Sequence, residues 1–250
     1  MTIVLVHGNP ETSAIWNDLI PHLISDDVRT ISPPGFGAPV PTGFEATMNG
    51  YLEWIIEEIR QIDSPVDLVG HDWGGGHVVR LACERPDLIR SWASDIMGVF
   101  TPEYVWHERA KIWQTPGIGE DSVAAMIKAT PEETTNRFHT LGMSVPIARE
   151  VAQAINDDMG RCILKLYRSA AQPIIGDYFC SLKKAAVRPG LAIVATADPF
   201  VGGELLARKA ADCAGAEVGI LKDQGHWWMC SDPESGAALI NRFISKVNKI

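Results

Sequence analysis

The sequence predicts an α/β protein whose mostly parallel sheet is flanked by helices, with a helical segment inserted between two strands. Short runs rich in β-branched residues alternate with longer amphipathic stretches, which is typical of a parallel sheet wrapped by helices. That alternation stops at Phe100, where helical stretches broken by prolines take over, and it resumes at Leu191. We therefore expect a core of residues 1–99 and 188–250 around an inserted helical segment of residues 100–187.

The individual elements follow from hydrophobic periodicity and its interruptions. Six apolar runs are predicted strands: Ile3–Val6, Val28–Ser32, Val66–Gly70, Ser91–Met97, Leu191–Thr196 and Glu217–Leu221. Three amphipathic runs are predicted helices: Ala46–Ile62, Gly75–Arg85 and Pro233–Val247. The last of these helices is preceded by Ser231 and Asp232, residue types that cap helix N-termini.

Composition narrows the class of protein and of partner. The chain has 250 residues, of which 46% are apolar and 21% charged, as in ordinary globular domains. A net charge of −9 argues against nucleic acid or an anionic membrane as the partner. The five scattered cysteines form no C-x-x-C pair, and no apolar run approaches the ~20 residues of a membrane-spanning helix. We expect a cytoplasmic protein without a leader segment that acts on a small molecule.

One short motif carries the expected chemistry. Gly70-His71-Asp72-Trp73-Gly74 follows a predicted strand and precedes a predicted helix. In such a G-x-x-x-G turn the small flanking residues permit a strained bend that pushes the central side chain outward. Asp72 is therefore a candidate nucleophile. The alternative is a glycine-rich turn that ends in an aspartate capping the helix.

A nucleophile at this kind of turn needs a histidine base and an acid that orients it, in the chain order nucleophile, acid, histidine. Asp198 follows the predicted strand Leu191–Thr196, and His226 lies in the loop after the next strand. Either residue alone is read more simply as a turn aspartate or a buried, hydrogen-bonded histidine. Together, at strand ends and in the required order, they indicate a catalytic set.

The chain also carries a series of motifs spread over nearly its whole length: "HGNP" at 7–10, "PPGFG" at 33–37, "GHDWGG" at 70–75, "TADP" at 196–199 and "GHWW" at 225–228. In combination they resemble the α/β-hydrolase superfamily, in the branch that contains haloalkane dehalogenases and epoxide hydrolases. The resemblance implies the α/β-hydrolase fold and makes the helical insertion the cap of that family. Family members usually carry a strand hairpin before "HG", so we expect a sheet without it.

The resemblance implies a two-step hydrolysis. An ionised aspartate attacks a saturated carbon, so Asp72 would form an alkyl ester that His226 then hydrolyses by activating water. Asp198 would hold the imidazole, although Asp95 is an alternative acid because some dehalogenases place theirs after the preceding strand. The backbone N–H groups of Asn9 and Trp73 would line the oxyanion hole.

The leaving group separates two activities. For a halide, the side chains of Asn9 and Trp73 resemble the halide-binding pair of haloalkane dehalogenases, and Trp113 would add a donor or only pack. Fluoroacetate dehalogenases carry arginine where Trp73 stands, so the resemblance implies a small, neutral, apolar substrate. For an epoxide, two cap tyrosines are needed. Tyr167 matches one of them, whereas "KIWQTPG" offers no phenol for the other.

Several residues remain candidates to replace that missing phenol, namely Tyr104, Tyr178, His107 and His139. Dehalogenation is the favoured interpretation, epoxide hydrolysis is the alternative, and a non-catalytic ligand-binding protein on the same fold is a further one. No cluster of His, Cys or Asp has metal-ligand spacing and no phosphate-binding loop follows a strand, so neither a metal nor a cofactor is expected.

Overall fold

The computed structural model describes residues 2–249 and contains a single sheet of six strands. The strands are β1 Thr2–Val6, β2 Asp27–Ile31, β3 Val66–Gly70, β4 Ile89–Ser94, β5 Gly190–Ala195 and β6 Glu217–Leu221. They lie in the order β2-β1-β3-β4-β5-β6, and every pairing among the described residues is parallel. The predicted parallel α/β sheet is therefore confirmed, and no antiparallel hairpin joins it within residues 2–249.

Helices follow or separate the strands. The described residues form α1 Met48–Arg60, α2 Trp73–Glu84, α3 Glu108–Gln114, α4 Ile118–Lys128, α5 Pro131–Thr140, α6 Val145–Ala154, α7 Asp157–Ser169, α8 Ile174–Asp177, α9 Gly203–Ala214, α10 Trp228–Ser231 and α11 Pro233–Val247. Helix α11 has the predicted bounds, and Asp232 caps it by accepting a hydrogen bond from the Ser235 N–H at 3.2 Å.

Several predicted elements differ from the structure in their bounds. The predicted strand Ser91–Met97 is β4, which ends at Ser94, and the predicted helix Gly75–Arg85 is α2, which begins at Trp73. Helix α1 begins later than predicted because Thr47 caps it by accepting from the Gly50 N–H. Helix α9 was not predicted. Its buried stripe consists only of alanines, which give little hydrophobic contrast with the exposed face: Ala207, Ala210, Ala211 and Ala214.

The apolar core occupies both faces of the sheet. Strands β1, β3 and β5 are buried along their whole length, as expected where helices cover both faces of a parallel sheet. Their side chains alternate between two clusters, so that Val4 of β1 packs on one face and Ile3 on the other. The edge strands β2 and β6 are partly exposed.

The chain between β4 and β5 contains helices α3 to α8 and, within residues 100–187, no strand. The carboxyl ends of parallel strands meet at one edge of the sheet, and the loops that leave this edge carry Asp72 after β3, Asp95 after β4 and Asp198 after β5. The fold thus brings the predicted site residues to one edge, next to the helical insertion.

Candidate active site

Asp72 occupies a strained bend between β3 and α2. Its backbone has φ 47° and ψ −131°, a left-handed conformation that non-glycine residues rarely adopt. The bend is held by backbone hydrogen bonds from His71 N–H to the Val6 carbonyl at 2.9 Å and from Gly75 N–H to the His71 carbonyl at 3.1 Å. The Asp72 side chain does not cap its own helix, which removes the simpler interpretation of this aspartate.

Close backbone contact between this bend and the loop after β1 requires glycine. A Cβ atom on Gly8 would lie 2.3 Å from Asp72 Oδ2, and one on Gly74 would lie 2.2 Å from the Val6 carbonyl oxygen. The loop can therefore approach closely enough for the Asn9 N–H to donate to Asp72 Oδ2 at 3.0 Å. One oxygen of the carboxylate is thus fixed by a backbone donor.

His226 and Asp198 form a buried pair beside this carboxylate. His226 Nδ1 lies 2.7 Å from Asp198 Oδ2, and Asp198 Oδ1 accepts from the Phe200 N–H at 2.8 Å. Because an ionised carboxylate only accepts hydrogen bonds, the proton of the neutral imidazole resides on Nδ1 and Nε2 carries a free lone pair. This is the tautomer that a general base requires.

Burial and charge shift the pKa values of all three groups. Burial raises the pKa of Asp72, and the positive charge of His226 opposes that rise without cancelling it. For His226, burial acts to lower the pKa, but the charge of Asp198 and its hydrogen bond outweigh burial, so the pKa is raised. For Asp198, burial acts to raise the pKa, but His226 outweighs it and the pKa is lowered.

Asp95, the alternative acid, is bonded elsewhere. Its carboxylate accepts hydrogen bonds from the backbone N–H of Asp72 at 3.0 Å and from Trp228 Nε1 at 2.8 Å, and it lies 2.5 Å from His71 Nδ1. The structure brings His226 to Asp198 and not to Asp95. Asp95 instead stabilises the strained bend by accepting the Asp72 N–H.

A buried glutamate, Glu11, also contacts His71, and the sequence analysis did not predict it. Glu11 accepts from the Gly8 N–H at 2.8 Å and from Trp227 Nε1 at 2.6 Å, and lies 3.6 Å from His71 Nε2. Burial acts to raise the pKa of Glu11, but His71 outweighs it and brings it to about 2. Its position two residues after Asn9, directly after the "HGNP" motif, was the signal that the sequence offered.

A cavity lies between the helical insertion and this edge of the sheet. The sheet side contributes Asn9, Pro10, Asp72, Phe200, His226 and Trp227. The helical side contributes His107, Arg109, Trp113, Met126, Arg137, Phe138, Leu141 and Tyr167. The wall is thus mainly aromatic and aliphatic, with a few polar groups near the Asp72 carboxylate, as in many small-molecule sites.

Of the three predicted leaving-group donors, Asn9 and Trp113 line the cavity and Trp73 does not. Asn9 lines the cavity, and neither Nδ2 nor Oδ1 of its buried amide has a hydrogen-bond partner among residues 2–249. Buried Trp113 Nε1 likewise has none and lines the cavity. The Trp73 ring is not among the described lining residues, and it packs against Trp106 and Tyr167 at centroid distances of 5.9 and 5.5 Å.

Among the candidates for proton donation, Tyr167 and His107 line the cavity. Burial and the negative charge of Asp72 raise the pKa of Tyr167, so its phenol stays protonated. Tyr104 donates its hydroxyl to the Phe200 carbonyl at 2.6 Å, and Tyr178 donates to Glu84 at 3.3 Å. His139 Nδ1 lies 2.9 Å from the Met143 carbonyl oxygen, outside the lining set.

Two further histidines, His7 and His77, are buried in the core of the fold. Burial lowers the pKa of His7 to about 4, and its Nδ1 lies 2.9 Å from the Gly8 carbonyl oxygen, beside Asn9. Burial also lowers the pKa of His77, to about 3, and its ring stacks on Tyr51 at 5.0 Å. Within residues 2–249 no group of three or more His, Cys, Asp or Glu side chains is placed to hold a metal ion.

The chain is similar in sequence to several named proteins. It is 24% identical over 265 aligned positions to the AB hydrolase superfamily protein YfhM of Bacillus subtilis, covering 97% of this chain and 88% of that protein. A haloalkane dehalogenase of Mesorhizobium japonicum is 30% identical over 134 positions, covering 49% of this chain and 42% of that protein. The epoxide hydrolase srdG of Neurospora crassa is 34% identical over 96 positions, covering 36% and 28%.

Solved structures share this fold, and a family model matches most of the chain. The crystal structure of a loop variant of the haloalkane dehalogenase DbeA from Bradyrhizobium elkanii superposes with a TM-score of 0.72 at 18% identity, covering 99% of this chain and 90% of that one. The model of the alpha/beta hydrolase family matches residues 3–238. With its parallel sheet, its strained bend at Asp72 and this family match, the chain belongs to the alpha/beta hydrolase family and is a hydrolase.

Proposed function

We propose that this hydrolase cleaves carbon–halogen bonds through a covalent ester on Asp72. The observation that carries the proposal is the buried side-chain amide of Asn9, which lines the same cavity as Asp72 and lacks a partner among residues 2–249. A buried amide without a partner destabilises a protein unless a ligand completes it. A halide leaving group, which accepts N–H bonds in apolar surroundings, is such a ligand.

In the first step the ionised carboxylate of Asp72 attacks the saturated carbon that bears the halogen. A C–O bond forms, the carbon–halogen bond breaks, and the halide leaves with the electron pair. The Asn9 side-chain N–H and Trp113 Nε1–H supply donors for it. Trp113 thus takes the role for which Trp73 was the sequence-based candidate, because Trp113 lines the cavity and Trp73 is not among the lining residues.

In the second step His226 Nε2 takes a proton from water, and the resulting hydroxide attacks the carboxyl carbon of the ester. The Asn9 backbone N–H, which already donates to Asp72 Oδ2 at 3.0 Å, stabilises the oxyanion that develops there. Asp198 stabilises the imidazolium through its 2.7 Å contact with Nδ1. The tetrahedral intermediate collapses as its bond to the alkyl oxygen breaks, and the imidazolium of His226 gives its proton to the departing alkoxide. The alcohol leaves, a proton passes to solvent, and Asp72 is regenerated as a carboxylate with one oxygen from water.

Epoxide hydrolysis is the second candidate, favoured by the Tyr167 phenol in the cavity and by the epoxide hydrolase among the relatives. Ring opening leaves an alkoxide that needs an acidic hydroxyl. Tyr104 already donates its hydroxyl to Phe200, so the cavity wall supplies a single tyrosine. The non-catalytic alternative is disfavoured because Asp72 and His226 line the same cavity and His226 is paired with Asp198, which favours the tautomer that a general base requires.

The setting of this reaction is part of the same proposal. Residues 100–187 would form a cap over a core of residues 1–99 and 188–250, since the cavity wall draws on both. The five cysteines form no disulfide among the described residues, which fits reduced thiols and a cytoplasmic location. Among residues 2–249 no helix has the length and hydrophobicity of a membrane span.

Trapping the ester tests the proposal directly. His226→Gln removes the base of the second step but leaves Asp72, so incubation with 1-bromohexane should release about one bromide per protein and add one hexyl group to the peptide that contains Asp72. Intact-mass and peptide mass spectrometry measure the adduct. The matched control His139→Gln, at an exposed histidine outside the cavity wall, should turn over without accumulating it.

Three outcomes separate the candidates. An adduct from 1-bromohexane with free bromide supports dehalogenation. An adduct from 1,2-epoxyhexane, but none from the bromide, replaces it with epoxide hydrolysis. A third outcome is that a compound binds, the variant forms no adduct and the wild type shows no turnover. That outcome refutes the Asp72 mechanism and leaves the ligand-binding interpretation.

A further inference from the structure

Two arginines of the helical insertion line the Asp72 cavity without a carboxylate partner. Arg109 lies on α3 and Arg137 on α5, and both belong to the cavity wall. Neither guanidinium forms an ion pair or a hydrogen bond within residues 2–249. Other cations of the insertion are paired, for example Lys111 with Glu108 at 2.6 Å and Arg168 with Glu120 at 2.8 Å. Arg109 and Arg137 are thus two unpaired cations that share one cavity wall with Asp72.

Each of the two guanidinium groups lies over an aromatic ring. The Arg109 Cζ atom lies 5.8 Å from the centre of the Trp113 ring, and the Arg137 Cζ atom lies 5.7 Å from that of Phe138. Both rings line the cavity as well. A guanidinium that contacts a ring makes no hydrogen bond through that contact, and its N–H donors match a carboxylate in geometry and charge.

Leaving these two charges together is unfavourable without an anion. Burial lowers the pKa of Arg137, and the positive charge of Arg109 lowers it further. No carboxylate contributes to that balance, although acidic residues hold most other arginines of the chain. Arg109 is exposed and Arg137 is half-buried, and a bound anion would relieve the repulsion between their two charges.

We propose that Arg109 and Arg137 bind a carboxylate group of the substrate, so that the natural substrate is an acid whose reacting carbon lies at the other end of an apolar chain. The inference rests on the proposed function for the identity of the reacting end. The Asp72 carboxylate repels a second carboxylate, which therefore favours the arginines, while an apolar spacer fits Met126 and Leu141.

This replaces the expectation of a neutral substrate. That expectation came from Trp73, the residue beside the nucleophile, which stands where fluoroacetate dehalogenases carry arginine. The positive charges of this cavity lie instead on α3 and α5 of the insertion, whose position relative to Asp72 depends on the tertiary fold. In the reaction the carboxylate takes no part: an ω-haloalkanoate would yield an ω-hydroxyalkanoate, a halide ion and a proton.

Binding of halogen-free ligands tests the anion site without any chemistry. Isothermal titration of the wild-type protein with octanoate and with 1-octanol compares two chains of equal length that differ in charge. We expect octanoate to bind roughly tenfold or more tightly, as charge-assisted hydrogen bonds imply. Arg109→Gln and Arg137→Gln should each reduce that preference, and the double variant should abolish it. Added NaCl should weaken octanoate binding only.

The controls separate charge recognition from loss of fold. Arg149→Gln removes an exposed arginine of α6 outside the cavity wall and should bind octanoate like the wild type. Arg137→Lys keeps the charge but not the fork of donors and should restore part of the preference. Equal binding of octanoate and 1-octanol by the wild type, or a preference unchanged in the double variant with a native circular dichroism spectrum, would overturn the inference.

Turnover distinguishes this inference from the function on which it rests. We expect kcat/KM for 6-bromohexanoate to exceed that for 1-bromohexane by tenfold or more, with the advantage lost in the double arginine variant. Equal or faster turnover of 1-bromohexane overturns the carboxylate inference and keeps dehalogenation. Arginine-dependent binding of octanoate, with no bromide from either compound and no Asp72 adduct, keeps the anion site and rejects the proposed reaction.

Discussion

The imidazole rings of His71 and His226 lie 4.5 Å apart, centroid to centroid, and each is bonded to a different aspartate. His226 contacts Asp198 at 2.7 Å, whereas His71 contacts Asp95 at 2.5 Å. Burial acts to lower the pKa of His71, but Asp95 and Glu11 outweigh it and raise the pKa well above its ordinary value. His71 is thus a fixed buried cation, and its neighbour His226 is the imidazole that faces the cavity.

The first prediction concerns Asp198. Asp198→Asn removes the charge that stabilises the imidazolium and the acceptor that fixes its tautomer, so we expect hydrolysis of the Asp72 ester to slow by roughly 10³- to 10⁴-fold. Ester hydrolysis needs neutral His226, so the wild-type rate rises with pH through the raised pKa of that residue. Without Asp198 that pKa falls, and the acidic limb of the profile should move to lower pH. Single-turnover rates between pH 5 and 9 measure both effects.

Asp95→Asn is the matched contrast to that variant. Asp95 compensates the buried cation His71 and accepts the Asp72 N–H, so its replacement should lower the free energy of unfolding by about 3–5 kcal/mol. The acidic limb of the rate profile should keep its wild-type position in the protein that remains folded. An acidic limb that shifts in Asp95→Asn and not in Asp198→Asn would exchange the roles of the two aspartates.

The second prediction separates the two leaving groups. Asn9→Ala removes the unpartnered amide from the cavity and should lower the rate of bromide release about 10²-fold, as expected for the loss of one preorganised donor. Tyr167→Phe should change bromide release less than threefold, because a halide needs no proton. Stopped-flow measurement of bromide release compares the variants. The opposite ranking, with an epoxide as the better substrate, would favour the phenol as the functional donor.

The third prediction tests the close contact at the strained bend. A methyl group at Gly8 would lie 2.3 Å from Asp72 Oδ2 and 2.6 Å from the Trp73 nitrogen, so Gly8→Ala must displace one main-chain segment. Misplacement of the nucleophile by about 1 Å is expected to reduce kcat about 10²-fold. Gly225→Ala adds a methyl group into open space and should keep near-wild-type kcat. Full activity of Gly8→Ala would show that this contact is not required.

The fourth prediction concerns acid stability. The pKa of Glu11 is about 2 in the folded protein because His71 outweighs burial, and it is about 4.5 when the chain is unfolded. A lowered folded pKa adds stability that is complete above pH 4.5 and is lost as the pH falls towards 2. Glu11→Gln should therefore lose about 3–5 kcal/mol at pH 7 and progressively less below pH 4.5.

Urea unfolding of wild type and Glu11→Gln at pH 7, 5 and 3.5 measures that difference. Asp18→Asn, which replaces an exposed carboxylate, should change the unfolding free energy by less than about 0.5 kcal/mol. A difference between Glu11→Gln and wild type that is the same at all three pH values would contradict the buried pairing of Glu11 with His71.

Local sequence patterns were sufficient to predict the sheet and the bend that position the candidate site. The alternation of apolar runs and amphipathic helices predicted the parallel sheet, because side-chain periodicity is set by the backbone geometry of each element. The glycines around Asp72 predicted the bend, since the small residues on either side of it permit a left-handed central residue. Helix α9 was not predicted because its buried residues are alanines, which are too weakly hydrophobic to distinguish the buried face from the exposed one.

The sequence by itself determined the order of the chemical groups along the chain and the strand ends that carry them. Only the tertiary structure decided which aspartate meets His226, which tryptophan reaches the cavity, and where Glu11 and the two arginines of the helical insertion lie. The physical reason is that β3, β4 and β5 deliver their loops to one edge of the sheet. Several partners then come within reach there, and the selection among them depends on packing between segments far apart in sequence.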